Sequence, residues 1–456
     1  MKVLISTMPY VGHFNPTQPI AIELVRRGHE VVWVTDASYR EKVKATGARF
    51  EPMADEAVIR ADAIDPEPGT TGIARTVSFL QKIFLDRIPA QVADYRHHLE
   101  TFPADILLVE FCTFGAQTMN DLTGLPYATL GINPLVTMDP EIPSWGFGWQ
   151  PPKTFLGRWL NMAVHFLAQR LLYSKMEVVL DEKRRVVGAG PMPAGLCFQN
   201  AIFSRYGHIM MTTPMLEFPR KNLAPYIKFV GPLLPAVDKA SFAPPGWWEE
   251  LLAHPRERVV HVTQGTLDVD QDNLIRPTIL ALASQDDLLV IVTGKKIDNM
   301  FGEELPLPAN VRTAAFVPHV LLLPHVGVMV TNGGYQGVLT ALSHGVPLVC
   351  AGRSEDKADT NSRVAWSGAG IDLSTDKPTV SAVRGAVRKI IADRKYREAA
   401  GGIMRDFATH NGPAEAADIL EKIAEENKGW RDGRRSGQSS ASQSQEGAEA
   451  MREELK

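Results

Sequence analysis

The sequence has few cysteines: three in 456 residues, at Cys112, Cys197 and Cys350, and all of them are far apart along the chain. An odd number of distant cysteines is typical of reduced thiols and not of a disulfide framework. No C-x-x-C pair or other zinc-ligand spacing occurs, so a structural zinc site is not predicted either. The pattern indicates a reducing compartment, and we expect the protein to be cytoplasmic.

Long uninterrupted apolar runs are also missing. The stretch 155–180 comes closest, but it contains Arg158, His165, Arg170 and Lys175, which are too many polar positions for a membrane span. We expect this stretch to form a buried amphipathic helix. The N-terminus is apolar only briefly before a proline and a glycine, which is too short for a signal peptide. No membrane span is predicted.

Neither sign of charge predominates. The chain has 48 Lys and Arg against 52 Asp and Glu, a formal net charge of −4. This balance does not favour nucleic acid or an anionic membrane surface as a partner. Hydrophobic residues make up 45% and charged residues 22% of the chain, as in an ordinary globular enzyme, and the length suits two or three domains.

What the sequence does have is an alternation of strands and helices that occurs twice. Residues 2–7 (KVLIST) are an apolar run, followed by a turn, a helical pattern that ends at Gly28, and a second apolar run at 31–35. The alternation resumes after a region rich in proline and glycine at 226–248 and continues to about residue 373. Such runs predict parallel sheets, and hence an α/β protein with two Rossmann-like lobes.

This pattern suggests boundaries for the domains. Residues 1–230 are predicted to form an N-terminal lobe, 231–250 a linker, and 251–395 a C-terminal lobe. Residues 396–430 are predicted to be helices that pack back on the N-terminal lobe. The polar, Ser- and Gln-rich residues 431–456 cannot bury enough apolar surface to fold and are predicted to be disordered.

Two adjacent glycines, Gly333 and Gly334, separate an apolar strand from a helical pattern. Backbone N–H groups at a helix N-terminus attract phosphate, and the missing side chains allow close approach. Asn332 could donate an amide N–H and Thr266 a hydroxyl to the same anion. The alternative is a tight strand–helix turn. The ligand site is favoured because four turns, at 263–266, 316–319, 331–334 and 351–357, follow strands of the second run, and ligands bind at that rim.

Residues 316–373 resemble the C-terminal signature of family 1 UDP-sugar-dependent glycosyltransferases. The shared order is aromatic-x-Pro, a Leu/His run, VTNGGYQGVL, HGVPLV, an acid pair and an asparagine. The resemblance covers residues 1–430, is strongest at 1–35 and 313–373, and is closest to the branch that glycosylates macrolides and other natural products. It implies the glycosyltransferase B fold, in which two Rossmann-like lobes with parallel sheets face each other across a cleft.

The resemblance implies where the donor binds. Phe316 would stack on uracil, the Val317 backbone would meet the edge of the base, and Asp356 and Lys357 would hold the sugar hydroxyls with Glu355 beside them. The diphosphate would lie on the glycine turn. The complete donor set is Gly12, Thr266, Phe316, Val317, Asn332, Gly333, Gly334, Gln336, Gly337, Glu355, Asp356 and Lys357.

Four positions depart from the family pattern. Asn332 stands where the family has a histidine, Lys357 where it has a glutamine, and Thr340 where an acid often grips the ribose. Asn361 lies one residue later than the pattern expects. These departures bear on the identity of the nucleotide and sugar more than on the fold.

The first strand–helix turn contains a candidate base. Inverting glycosyl transfer needs a group that takes the acceptor proton, and histidine suits this near neutral pH. Residues 12–16 (GHFNP) match the family's Gly-His-x-x-Pro, which assigns this role to His13. The alternative is a surface or capping histidine. Glu110 stands at the end of ADILLVE, where the family has an Asp that holds the base, and its extra methylene changes the geometry.

The acceptor site is predicted from aromatic residues. Trp145, Phe147 and Trp149 could form a platform for a hydrophobic alcohol or phenol, or they could equally anchor their loop to the core. The predicted function is the inverting transfer of a sugar, glucose from UDP-glucose, to a hydroxyl of a small hydrophobic acceptor such as a phenol, flavonoid or macrolide. We expect no cofactor and no metal, and we interpret Asp268-Val269-Asp270 as charge at a helix N-terminus.

The same residues leave three other functions open. A dinucleotide oxidoreductase is suggested by Asp36 after the second strand, but the first turn lacks G-x-G-x-x-G and contains Pro9. A sugar-nucleotide epimerase shares the two-lobed fold and would need no large apolar acceptor pocket. A sugar-nucleotide binder without catalysis is disfavoured by the presence of His13.

Overall fold

The computed structural model of the protein describes residues 1–60, 72–193, 196–237, 242–265, 270, 273–294, 297 and 307–430. Three predictions lie outside the described residues wholly or in large part: the phosphate contact of Thr266, the interpretation of the Asp268-Val269-Asp270 motif, and the disordered tail at 431–456.

The first half of the chain builds a seven-stranded parallel sheet with the order β3-β2-β1-β4-β5-β6-β7. Alternate residues of the central strand enter the cores on opposite faces, Val3 and Ile5 on one side and Leu4 on the other. Burial on both faces explains the unbroken apolar run at the N-terminus. The strands are β1 (Lys2–Ser6), β2 (Glu30–Thr35), β3 (Arg49–Pro52), β4 (Ile106–Glu110), β5 (Tyr127–Gly131), β6 (His208–Met210) and β7 (Ile227–Phe229).

Helices connect these strands, and short 3-10 turns lie at Ala37–Tyr39 and Asp55–Ala57. Two π-helical turns, Gln81–Leu85 and Gln169–Tyr173, continue the helices that precede them. The helices of this lobe are α1 (Val11–Arg26), α2 (Arg40–Lys44), α3 (Gly72–Leu80), α4 (Ile88–Thr101), α5 (Gly115–Thr123), α6 (Phe155–Ala168), α7 (Ser174–Val186) and α8 (Phe198–Ala201).

The second half builds a six-stranded parallel sheet with the order β10-β9-β8-β11-β12-β13. Its strands are β8 (Val259–Thr263), β9 (Leu289–Thr293), β10 (Val311–Ala314), β11 (Val328–Thr331), β12 (Leu348–Cys350) and β13 (Gly370–Asp372). Its helices are α9 (Trp248–Ala253), α10 (Ile275–Leu282), α11 (His319–Leu322), α12 (Tyr335–Ser343), α13 (Lys357–Trp366) and α14 (Val380–Ala392), with 3-10 turns at Arg256–Arg258 and Leu323–His325.

The last two helices of the described chain are α15 (Arg394–Phe407) and α16 (Gly412–Glu426). The second of them returns to the first lobe and lies beside α1. There the guanidinium of Arg27 donates to Asp418 at 2.6 Å and to Glu421 at 3.0 Å.

The predicted fold class is confirmed, since the chain forms two parallel sheets, each alternating with helices. Both sheets reverse their strand order beside the first strand of the lobe: β2 and β4 flank β1, and β9 and β11 flank β8. Loops leave a parallel sheet in opposite directions at such a point and open a crevice at the carboxyl ends of the strands. The functional residues are expected at these two crevices.

The prediction of a buried amphipathic helix in 155–180 is wrong for α6. Asn161 is its one buried residue, whereas Phe155 is 76% exposed and Leu156 79% exposed. The reason is that α6 packs against the protein through its polar side. The amide of Asn161 donates to the carbonyls of Pro140 at 2.6 Å and Ile142 at 3.1 Å, so a polar side of α6 packs inward. Among the described residues, no helix is both long and apolar enough to cross a membrane.

Candidate active site

The first crevice brings His13 and Glu110 together. Strands β1 and β4 are neighbours, with Ser6 opposite Val109, so the residues that follow both strands lie side by side. The sequence predicted His13 on a loop, whereas the structure places it in the first turn of α1. Its imidazole Nδ1 lies 3.2 Å from the Oε2 of Glu110, the last residue of β4.

The main chain holds the Glu110 carboxylate in place. The N–H of Met8 donates to Oε1 at 3.3 Å, and the N–H of Cys112 donates to Oε2 at 2.7 Å. The hydroxyl of Thr113 donates to the Glu110 carbonyl at 2.6 Å and ties the turn after the strand. Because the side chain is fully buried and both oxygens are engaged, the methylene that Glu110 has beyond the family's Asp is accommodated without freeing the carboxylate.

The imidazole of His13 faces the Glu110 carboxylate but is not fixed there by hydrogen bonds. Its Nδ1 faces the carboxylate, yet the contact departs from hydrogen-bond geometry, and Nδ1 is without another hydrogen-bond partner in the described part of the chain. The side chain is 21% exposed, which leaves it open to the crevice. The two ring nitrogens lie on different edges, so Nε2 is directed away from the carboxylate. Catalytic contacts often tighten only when substrate binds, so this geometry suits a base.

The second crevice contains the two glycines, and the structure gives them different roles. Gly333 has φ +90°, and a Cβ placed on it would lie 1.7 Å from Oδ1 of Asn361. A Cβ on Gly334 would have no atom within 4 Å. Gly333 is therefore required by packing and by its backbone conformation. Gly334 leaves open space at the N-terminus of the nine-residue helix α12, where backbone N–H groups can meet an anion.

Two side chains near this helix end bear on ligand binding. Nε2 of Gln336, in the first turn of α12, is buried without a hydrogen-bond partner among the described residues. A buried donor of this kind is costly unless a ligand satisfies it. Asn332 differs, because its amide already donates to the carbonyl of Gln264 across the neighbouring ends of β8 and β11. Only its second N–H is left for a phosphate.

Asn361 is a residue that was not included in the predicted site. Its side chain is fully buried in α13, and Nδ2 donates to the carbonyl of Gly352 at 3.0 Å and lies 3.4 Å from that of Asn332. It thereby ties the turns after β11 and β12 to each other and packs against Gly333. The signal was present in the sequence as an amide near the end of the signature, but its target could not be read from there.

The acidic turn at the start of α13 has an unusual backbone. Glu355 has φ +57°, a conformation rare for residues other than glycine. Its carboxylate pairs with Lys357, whose ammonium also donates to Ser354 at 3.1 Å. Asp356 follows as the N-cap residue of α13. Burial raises the pKa of its carboxyl to about 6, and the charge of Lys357 opposes this shift.

The charge of Asp356, in the second crevice, also affects a side chain of the first crevice. Burial is the main cause that raises the pKa of the Cys112 thiol, and the charges of Glu110 and of Asp356 raise it further. Cys112 lies two residues after Glu110, the last residue of β4. The charge of Asp356, in the second lobe, therefore contributes to the electrostatic environment of the turn that follows Glu110.

Phe316 and Val317 lie in the turn after β10. The ring of Phe316 is 77% exposed, so its face is free to receive a flat ligand, whereas the side chain of Val317 is buried in the core. This difference in exposure suits the two predicted roles, in which the ring of Phe316 stacks on the base and the backbone of Val317 contacts the edge of the base. Gly12 and Gly337 lie in the first turns of α1 and α12.

The predicted aromatic platform occupies two different environments. Trp145 lines an apolar cavity together with Phe84, Phe111 and Tyr173. Phe147 is 39% exposed and Trp149 is 43% exposed, and the centroids of their rings lie 4.7 Å apart. The structure brings Trp145 to the cavity and leaves the other two aromatics on the loop beyond it.

That loop is tied to the other lobe. The N–H of Gly146 donates to Asp359 of α13 at 2.7 Å. The hydroxyl of Ser362, also in α13, donates to the Trp149 carbonyl at 2.9 Å. A third contact runs from Arg353 to the Phe147 carbonyl at 2.9 Å. The loop therefore bridges the cleft from the acceptor side to the helix that follows the acidic turn.

A buried ion pair holds the lobes together beneath this loop. The guanidinium of Arg363, in α13, donates to Glu217 of the first lobe at 2.6 Å, and both side chains are nearly inaccessible. Arg363 also donates to the Leu135 carbonyl at 3.1 Å, and Glu217 accepts from the Leu135 N–H at 2.9 Å. This network joins α13 of the second lobe to the first lobe at a buried contact.

The chain is similar to known proteins over most of its length. Residues 278–423 match the model of the erythromycin biosynthesis protein CIII-like C-terminal domain. The chain is 38% identical to the 4'-demethylrebeccamycin synthase of Lentzea aerocolonigenes, over 92% of this chain and 99% of that protein. It is 29% identical to UDP-glycosyltransferase 2 of Phaeomoniella chlamydospora, over 93% and 94%. It is also 29% identical to UDP-glucosyltransferase A1 of Starmerella bombicola, over 92% of each.

Solved structures show the same fold. The calicheamicin glycosyltransferase CalG4 superposes with a TM-score of 0.68 at 21% identity and covers 92% of this chain and 98% of its own. The spinosyn rhamnosyltransferase SpnG, complexed with thymidine diphosphate, superposes with a TM-score of 0.65 at 19% identity and covers 92% and 100%. Both are glycosyltransferases by name, and at these identities the likeness concerns the fold alone.

Proposed function

The chain belongs to the family 1 natural-product glycosyltransferases, and from this membership we propose that it catalyses inverting transfer of a sugar from a nucleoside diphosphate to a hydroxyl of an apolar acceptor. The observation that carries the proposal is the pairing of His13 with the buried carboxylate of Glu110, 3.2 Å apart, on the opposite side of the cleft from the glycine turn and Asp356.

The proposed reaction is a single displacement. Nε2 of His13 takes the proton of the acceptor hydroxyl while its oxygen attacks the anomeric carbon, and the bond from that carbon to the diphosphate oxygen breaks. The imidazolium that forms is stabilised by the carboxylate of Glu110, which stays ionised. The configuration of the anomeric carbon inverts because the oxygen enters opposite the leaving group.

The leaving diphosphate gains negative charge as the bond breaks. The N-terminal N–H groups of α12 and the Nε2 of Gln336, which has no hydrogen-bond partner among the described residues, are donors that this charge would satisfy. Such fixed donors stabilise the transition state without reorganising. For that reason we propose that the enzyme needs neither a metal nor another cofactor.

The proposed donor is UDP-glucose. Support comes from the relatives named UDP-glucosyltransferases and from the exposed ring of Phe316, which offers a face for the base. In this proposal the Asp356 carboxylate, beside Lys357, accepts hydrogen bonds from sugar hydroxyls. The thymidine diphosphate in the SpnG complex makes a thymidine-linked sugar the competing donor to be tested.

The proposed acceptor is a small apolar molecule such as a phenol, flavonoid or macrolide. The cavity beside Trp145 is small and is lined by Leu80, Phe84, Phe111 and Tyr173, so it offers an apolar wall for part of such a molecule. The names of two similar proteins, a 4'-demethylrebeccamycin synthase and a calicheamicin glycosyltransferase, support a natural product as the acceptor. A cytoplasmic location remains our expectation.

The decisive experiment is to incubate the protein with UDP-glucose or dTDP-glucose and a panel of phenols, flavonoids and macrolides, and to measure product mass and anomeric configuration. We expect one added hexose, from UDP-glucose, with inverted configuration. His13→Ala should lower the rate by about 10²–10⁴-fold. His97→Ala, which changes an exposed histidine on α4, is the matched control and should leave it unchanged.

Other outcomes would contradict the proposal. A product with retained configuration would exclude single displacement. Conversion of UDP-glucose to another UDP-sugar without acceptor would identify an epimerase. Thermal stabilisation by NAD and not by UDP would favour the oxidoreductase, although the Asp36 carboxylate accepts from the Ser38 N–H at 2.9 Å and so caps a 3-10 turn.

A further inference from the structure

Helix α6 presents an apolar surface to solvent. A run of large side chains along it is exposed, and we call this set the outer face of α6. Exposed fractions reach 79% at Leu156 and 64% at Phe166. The outer face consists of Phe155, Leu156, Trp159, Leu160, Phe166 and Leu167. Exposed apolar residues are normal when scattered, but a continuous group marks an interaction surface.

The helix is oriented opposite to an ordinary surface helix. Such a helix buries its apolar stripe and turns polar residues to water. Here Asn161 and His165 face inward and bond to the carbonyls of the loop beneath, His165 Nε2 to Ile142 at 2.7 Å. These hydrogen bonds hold the outer face outward, so its exposure is built into the fold.

The surroundings of the outer face are basic. The sequence from Glu141 to Glu177 contains no acidic residue in between, whereas Lys153, Arg158, Arg170 and Lys175 occur within it. Arg158, Arg170 and Lys175 are exposed. The net charge of −4 for the whole chain conceals this local concentration of cations.

We propose that α6 lies in the headgroup region of an anionic phospholipid bilayer, with its outer face toward the acyl chains and its cations at the phosphates. Aromatic and leucine residues on one face with Arg and Lys beside them are the pattern of helices that lie in a membrane interface. With 14 residues, α6 is too short to span a bilayer, in agreement with the absence of a spanning helix among the described residues.

Charge favours lipid over a second copy of the chain. A twofold interface would place each outer face against itself, and the cations of the two copies would meet without an acidic residue of this segment to pair them. Anionic headgroups supply those partners, each worth about 1 kcal/mol per Lys or Arg at the surface. His165 also lines a second cavity, which shares Trp145 with the apolar one, so a membrane-bound α6 would hold Trp145 near the lipid.

The test is flotation of the full chain with vesicles of phosphatidylcholine alone or of phosphatidylcholine mixed with phosphatidylglycerol. We expect binding to the mixed vesicles, weaker binding to the neutral ones, and weakening by high salt. Trp159→Ser with Phe166→Ser should reduce binding at least about tenfold. The matched control is Leu252→Ser with Leu280→Ser, at two exposed leucines of the other lobe, which should bind as the wild type does.

A second variant separates insertion from charge and guards against misfolding. Arg158→Gln with Arg170→Gln leaves the outer face intact and should lower the affinity for anionic vesicles by about fivefold per charge. Glucosyl transfer to a water-soluble phenol should be unchanged in every variant. The proposal is overturned if the wild type does not bind anionic vesicles. It is also overturned if the wild type is a dimer that Trp159→Ser with Phe166→Ser makes monomeric.

Discussion

Replacing Glu110 by glutamine should separate the chemical step from donor binding. The side chain keeps nearly the same shape but offers one acceptor oxygen in place of two. Glu110 uses both of its oxygens, one for the Met8 N–H and one for the Cys112 N–H and His13. In either orientation of the glutamine amide, its NH₂ group faces a backbone N–H, which is then left without an acceptor. In one orientation the NH₂ group also donates to Nδ1 of His13. The imidazole proton is then on Nε2, the nitrogen that has to take the proton of the acceptor.

The size of the effect follows from the geometry. At an effective dielectric constant of about 20, two unit charges 3.2 Å apart interact by about 5 kcal/mol. Each charge is spread over two atoms, so the transition state loses about 3–4 kcal/mol, and kcat should fall by about 10²–10³-fold. The unsatisfied N–H should also cost about 1–3 kcal/mol of folding free energy.

The assay compares kcat from UDP release with the Kd for UDP from calorimetry. We expect kcat to fall and Kd to stay the same, because the glycine turn and Phe316 belong to the other lobe. Glu110→Asp keeps the charge and restores the family's residue, so its kcat should lie between those of Glu110→Gln and the wild type. A Glu110→Gln enzyme that is folded and turns over at the wild-type rate would refute the role of the pair.

Four further predictions concern the rest of the cleft. Gly333→Ala should lower the melting temperature, because its Cβ would clash and its φ is +90°, whereas Gly334→Ala should fold normally and bind UDP more weakly in calorimetry. Asp356 is ionised above its pKa of about 6, so KM for the donor should rise as the pH falls through that value. Glu217→Gln should cost about 3–5 kcal/mol in denaturant unfolding, because the buried Arg363 loses its ion-pair partner. Excess EDTA should leave the rate unchanged, since helix N–H groups are proposed to stabilise the diphosphate.

Each of these has a control or a contrary outcome. Asp356→Asn should abolish the dependence of KM on pH near 6, and a dependence that persists would assign it to another group. Asp287→Asn removes an exposed partner of Arg258 and Arg388 and should cost at most about 1 kcal/mol, in contrast to the buried pair. Equal melting temperatures for the two glycine variants would contradict the packing argument. Loss of activity in EDTA that Mg²⁺ restores would contradict metal independence.

Local sequence was sufficient for the architecture. The apolar run of β1 is unbroken because helices cover both faces of a parallel strand, so its burial can be read from the residues themselves. The turn after it and the glycine turn after β11 were also visible, because a strand end followed by a helix start is a contiguous pattern. His13 and Gly334 were therefore singled out without knowledge of any contact.

Tertiary structure decided which of these residues meet and which way each surface faces. Glu110 reaches His13 only because β4 pairs with β1, a pairing between segments about 100 residues apart. The difference between Gly333 and Gly334 depends on Asn361, which another helix brings to the turn. Helix α6 does have an apolar side, as its sequence predicts, but hydrogen bonds to the loop at 140–142 turn that side away from the protein. A periodic pattern reports that a helix has an apolar side, and only the packing of distant segments determines what that side touches.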